Sequence, residues 1–205
     1  MRKPNSAFLL AGLIAALATV LLLGQGSHAQ KTAIAQEPIG TKLPKSIFIQ
    51  AEAMGQQQQL GQMFSINLII EEFSTADDQK TLLSAFNDKQ NEGLVNALSK
   101  MKSKGRLAIT GTLGYDVNYI REFKQPDGSS KIRLVTDRPI TFGEAWTDSR
   151  SSDYNLSGAE IVVNLDDKKN SGLLAPACKF KIDKENQLQL ELLQNEWKLV
   201  NVRRR

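Results

Sequence analysis

The sequence predicts an α+β domain: a mostly antiparallel meander sheet with one helix pair inserted near residues 75–104. Three observations carry that prediction. From Gly105 onward, apolar residues recur at every second position in short runs, broken at roughly 8 to 12 residues by Gly, Pro, Asn and Asp turns. The 3.6-residue period of an amphipathic helix occurs only within 75–104. No helical stretch separates the later strands, so nothing supplies the crossovers that parallel strands need. With about eight or more strands, an open sheet, a strongly curved sheet and a barrel-like sheet all satisfy the pattern.

The N-terminus reads as an export signal. Arg2 and Lys3 precede an apolar run over residues 7–23, and Ser27-His28-Ala29 offers small residues for signal-peptidase cleavage. Ala33-Ile34-Ala35 offers a second such site. The expectation is therefore a signal peptide over 1–29, a flexible leader over 30–45 and a single domain over 46–205, exported to the periplasm or secreted. The alternative is retention of the run as an N-terminal membrane anchor, since an almost unbroken apolar run of 17 residues reaches the lower limit of a span. After cleavage no stable membrane insertion is expected. Removing the first 29 of 205 residues leaves 176 and lowers the formal charge from +4 to +2. The Arg203-Arg204-Arg205 triplet then reads as a solvated end, and no nucleic-acid partner is expected.

The elements follow in order. Residues 46–53 (SIFIQAEA) form a first strand, and residues 56–59, four glutamines, a polar break. Residues 62–73 form a second, largely buried strand with Phe64, Ile66, Leu68 and Ile70 on one face. Ser74-Thr75 followed by Asp77-Asp78 is a helix start with a capping carboxylate. Leu82, Leu83 and Phe86 stripe one helix. After Asn87-Asp88, Leu94, Val95, Leu98 and Met101 stripe a second, ending through Lys100, Lys102 and Lys104 at Gly105. Strands follow at 106–113, 115–123 and 131–136, the last two forming a hairpin across Gln125-Pro126-Asp127-Gly128. Further strands are expected at 140–146, 159–165, 173–182, 187–193 and 197–202. Gly111-Thr112-Leu113-Gly114 reads as a tight bend, and residues 166–172, DDKKNSG, as a hairpin turn rather than a calcium loop.

Composition excludes several chemistries. The only histidine, His28, lies in the signal segment, and the only cysteine is Cys178. Histidine-dependent triads and His- or Cys-based metal centres lack their ligands, no intrachain disulfide forms, and no cofactor is expected. Cys178 alternates in phase with Phe180 and Ile182 against Lys179 and Lys181, which places it on a buried face.

The candidate site is residues 136–154, TDRPITFGEAWTDSRSSDY, the densest mixture of charge and aromatic rings in the chain. Asp137, Glu144 and Asp153 are the carboxylates available for glycosidase-like chemistry, which needs no histidine. Arg138 and Arg150 suit bidentate clamping of an anion, and Trp146 and Tyr154 suit stacking on a flat ligand. The competing reading is structural: Arg–Asp pairs and hydroxyls satisfying an ordered loop where strands turn.

The runs YDVNYIREF, RLVTDRPITFGEAW, RSSDYNLSGAEI and LQLELLQNEWKLVNVR make the chain, from near Phe64 onward, resemble a set of uncharacterised exported bacterial proteins of about this length. The resemblance implies a recurring architecture and carries over no activity and no site residues. The leading functional expectation is a non-enzymatic exported domain that binds a ligand or an envelope protein through the 136–154 face. The alternatives are a carboxylate-dependent hydrolase using Asp137, Glu144 or Asp153, and an envelope scaffold protein.

Overall fold

In the computed structural model, residues 42–56, 59–141, 154–191 and 196–205 are described. Alternating apolar positions drive ten strands: β1 (Lys42–Met54), β2 (Met63–Glu72), β3 (Gly105–Ile109), β4 (Tyr115–Val117), β5 (Tyr119–Lys124), β6 (Ser130–Thr136), β7 (Leu156–Val163), β8 (Ser171–Ile182), β9 (Leu188–Glu191) and β10 (Trp197–Arg204). One helical element, α1 (Ala76–Leu98), lies between β2 and β3. Every strand pairing is antiparallel.

The strand order is β4-β3-β2-β1-β10-β8-β7-β6-β5, with β9 added beside β8. β4 and β5 stand at opposite ends of that order, yet only Asn118 separates them in the chain. One residue spans only about 3.5 Å. The sheet must therefore curl until its two ends meet, and the result is a nearly closed barrel. The Asn118 amide donates to the Val135 carbonyl at 3.2 Å, and the Lys104 amide to the Val117 carbonyl at 2.7 Å, so the seam is hydrogen-bonded on both sides.

Side chains fill the barrel. Ile49, Ala51, Ile66, Leu68, Ile70, Leu107, Val117, Ile120, Ile132, Leu134, Ile161, Leu174, Trp197 and Leu199 belong to one buried cluster. Val117 and Ile120 both point inward although they differ in parity, so the chain switches faces at the Asn118 bend. The single strand expected over 115–123 is therefore broken at Asn118, and Val117 and Tyr119 do not share a face. Tyr119 instead joins a second cluster outside the barrel, where Leu82, Phe86, Leu94 and Leu98 of α1 cover Val135, Leu156, Cys178, Phe180, Leu188 and Leu190. β2 is buried on one face only. Ile66, Leu68 and Ile70 point inward while Ile69 is 37% exposed, because no layer covers this part of the wall among the described residues.

The helix begins as its sequence predicts. The Thr75 hydroxyl accepts from the Asp78 amide and the Asp78 carboxylate accepts from the Thr75 amide, a reciprocal cap. In place of two separate helices there is one element, which leaves helical conformation at Lys89 (φ −136°, ψ 24°) and Gln90 (φ 51°, ψ −138°). The kink folds the second arm back so tightly that a Cβ at Gly93 would collide with the Ala85 carbonyl. The Asn91 side chain then brackets one residue of β8, accepting from the Phe180 amide at 2.7 Å and donating to its carbonyl at 3.2 Å. It occupies the position a neighbouring strand would take.

Other boundaries shift. The helix stops at Leu98 with Ser99 as its cap, and Gly105 opens β3 rather than ending a helix. Lys104 is buried against Glu72 (2.7 Å) and Asp78 (3.3 Å). Burial works against its charge, but the Glu72 and Asp78 carboxylates outweigh it and hold the ammonium more firmly protonated. Residues 42–45, expected in the leader, belong to β1, while the rest of the expected leader and the expected signal segment lie outside the described residues. The basic C-terminal triplet is not a loose tail. Arg205 exchanges two backbone hydrogen bonds with Phe48, and Arg204 reaches Glu122 at 3.5 Å.

Candidate functional site

The described part of 136–154 begins where β6 ends. Pro139 disfavours helix at Arg138 and carries the chain onward extended. Ile140 is then driven into the end of the barrel, 3% exposed within the interior cluster. The Ile140 amide donates to the Ser157 hydroxyl (2.6 Å) and to the Pro176 carbonyl (2.9 Å). Ser157, fully buried, has the carbonyls of Arg138 and Pro176 within reach of its single proton. Thr136 donates its hydroxyl to the Arg138 carbonyl at 2.6 Å and accepts from the Ser157 amide at 3.2 Å. Beyond Ile140, the Thr141 amide donates to the Tyr115 hydroxyl at 3.0 Å. Residues 136–141 are thus a plug stitched across the barrel end by Thr136, Ser157 and Tyr115.

Asp137 and Arg138 pair with each other. Arg138 Nε lies 2.9 Å from Asp137 Oδ1, and its Nη2 donates to Oδ2 at 3.2 Å, a two-pronged contact. Asp137 holds the exposed guanidinium more firmly protonated. Both oxygens of the Asp137 carboxylate thus contact the adjacent guanidinium. Tyr154, half-buried, lies with its ring 5.0 Å from Lys179 Nζ, a cation–π contact at the outer edge of β8. Glu144, Trp146, Arg150 and Asp153 lie outside the described residues. Among the seven predicted site residues, then, Asp137 and Arg138 are brought together, and Tyr154 is placed beside Lys179.

Several polar groupings were not apparent in the sequence. Arg121 (1% exposed) and Arg133 (6% exposed) sit directly opposite each other on β5 and β6, on the outer wall beneath the second core. Arg121 donates to Gln79 at 2.6 Å, Arg133 donates to Glu160 at 2.7 Å and to the Leu188 carbonyl, and both guanidiniums lie over the Phe123 ring. At the far end of β5, Glu122 is buried against Lys124 (2.8 Å) and Arg204. Burial pushes its carboxyl pKa up, but Lys124, Ser130 and Arg204 outweigh that and hold it below the usual value. The only local signal for the buried arginines was their alternation with Tyr119, Phe123 and Val135, which marks a second apolar face. Cys178 is buried, and burial pushes its thiol pKa far up, which leaves it unreactive.

Among the described residues, no group of three or more His, Cys, Asp or Glu is placed to hold a metal ion, and no helix is long and apolar enough to cross a membrane. Comparison with protein-family models, curated proteins and solved structures yields no match.

Proposed function

We propose that the chain is an exported, non-enzymatic domain that binds an envelope partner protein through the barrel end carrying residues 136–154. The observation that supports this reading is where its exposed apolar side chains gather. Leu60 (79% exposed) and Met63 (54%) lie at the β1–β2 turn, and Leu113 (87%) at the β3–β4 turn. The Thr110 amide donates to the Ser65 carbonyl, which sets these two turns side by side. Tyr115, two residues past Leu113, holds Thr141, so the candidate stretch emerges at the same end. Leu165 (95% exposed) stands apart at the β7–β8 turn, but three of the large exposed apolar side chains among the described residues share this end, as at a protein contact. The filled interior directs binding to the outside of the barrel. In this reading the two arms of α1 serve as the helix pair that braces the opposite wall, and Arg2, Lys3 and residues 7–23 supply the export signal.

The test is a photo-crosslinking amino acid placed at Leu60, Leu113 or, as a control on α1, Lys80, in cells producing the full chain. A discrete adduct at Leu60 and Leu113 but not at Lys80 is expected, whereas equal labelling at all three positions would overturn the assignment. Turnover of a glycoside that disappears in Asp137→Asn, Glu144→Gln or Asp153→Asn, with the fold intact, would replace it with the hydrolase reading.

A further inference from the structure

We propose that the wall where β10, β1 and β2 meet, uncovered among the described residues, binds an acidic saccharide, held by Gln50, Glu52, Asn201 and Arg203. The strand register builds this site. Arg203 stands opposite Gln50 and Val200 opposite Glu52, so Asn201 and Val202 together face the single residue Ala51. That extra residue makes β10 bulge. Asn201 takes the left-handed conformation the bulge requires (φ 51°), one that asparagine tolerates better than most residues. Bulges re-aim side chains. Here the Asn201 amide turns onto the outer wall and donates to Glu52 Oε2 at 2.7 Å.

A groove of about 310 Å³ opens at this point, lined by Gln50, Ala51, Glu52, Ser65, Asn201 and Arg203. It lies at the small end of ligand clefts. The helix and the β8–β9 segment cover the other side of the barrel, and Ser65, Asn201 and Arg203 are exposed. The lining is almost entirely hydrogen-bonding. The Asn201–Glu52 contact leaves Asn201 Oδ1 and Glu52 Oε1 as acceptors. Gln50, Ser65 and Arg203 make no side-chain hydrogen bond to the protein among the described residues.

The mixture of groups selects the ligand class. A bare anion would gain from Arg203 but meet the Glu52 carboxylate, and a cation would meet the guanidinium. Sugar hydroxyls both donate and accept, so acceptors on Glu52 and Asn201 beside donors on Gln50 and Arg203 suit vicinal hydroxyls. The planar fork of Arg203 matches a carboxylate on the sugar in two-pronged fashion. Phe48 lies on the same face of β1, two residues before Gln50, and is half-buried. An apolar side chain at that register offers the C–H face of a longer saccharide a surface next to the groove's lining.

The experiment is titration calorimetry of the full chain against a hexuronic acid disaccharide, its neutral hexose counterpart and inorganic phosphate, with Arg203→Gln and Asn201→Gly as variants. Glycine accepts the positive φ at position 201, so that variant keeps the bulge and loses only the amide. Binding of the uronic acid disaccharide is expected, weakened about 10-fold by each substitution, with the neutral sugar about 10-fold weaker and insensitive to Arg203→Gln. Absence of uronide binding by the folded chain, or binding unchanged in both variants, would overturn the proposal. So would phosphate competing as well as the uronide does, which would reduce the groove to an anion contact.

Discussion

Ile140 decides whether the candidate stretch is architecture or exposed chemistry, and replacing it with alanine measures the difference. The side chain is 3% exposed at the end of the barrel core, so Ile140→Ala removes three buried carbons. At about 0.8 kcal/mol for each, the lost transfer energy is about 2.4 kcal/mol. A cavity contribution is added because the stitched plug cannot fully collapse, bringing the expected loss to about 3 kcal/mol, within the usual range for Ile to Ala in a core. For a domain of this size that corresponds to a melting temperature lower by roughly 6 to 12 °C. The control is Arg138→Ala. It breaks the Asp137 pair, but the guanidinium is exposed, and pairs of that kind contribute about 0 to 1 kcal/mol. Urea unfolding followed by circular dichroism, with equal slopes required across the variants, gives both numbers. A loss below about 1 kcal/mol for Ile140→Ala, or a larger loss for Arg138→Ala, would refute the plug and return Arg138 to the centre of the question.

Three further outcomes are expected. Gln90→Gly relieves a backbone strain of about 1 to 3 kcal/mol at an exposed position, offset by about 1 kcal/mol of added chain entropy. Its melting temperature should rise, and a fall would mean that the Gln90 side chain itself holds the kink. Glu122 has its carboxyl pKa depressed in the folded state. The stability it contributes is present above the ordinary value of 4.5 and is lost as pH falls through the lower folded value. Melting curves between pH 6 and pH 3 should therefore fall less steeply for Glu122→Gln than for the parent chain, and parallel curves would show that the Lys124 and Arg204 contacts do not stabilise the fold. Cys178 should resist a maleimide at pH 8 in the native protein and react within minutes in urea, whereas native reactivity would mean that α1 opens readily over the second core.

Much of the secondary structure is legible locally, because the interactions that specify it lie within a few residues. Cys178, Phe180 and Ile182 alternate with Lys179 and Lys181, and that alternation alone predicts a strand with one buried face, as β8 shows. The Thr75–Asp78 cap is written three residues apart. Pro126 and Gly128 mark a turn that closes with the Gln125 amide on the Ser129 carbonyl, Gly128 at φ 82°. The candidate stretch was legible only as composition. That Ile140 is buried in the described part of the stretch, residues 136–141, depends on Ser157, Pro176 and Tyr115, which no local pattern brings near.

By itself the sequence determined an antiparallel, sheet-dominated chain with helix confined to one insertion, and it removed histidine chemistry from the domain beyond the first 29 residues. Only the tertiary structure decided that the sheet closes, because closure follows from β4 and β5 pairing with strands at opposite ends of the order across the single residue Asn118. The same bend reverses which face points inward. It sends Ile120 into the barrel and Arg121 onto the outer wall beneath a second core. Hydrophobic alternation reports that a strand has two faces, and only the partners gathered from the rest of the chain determine what each face meets.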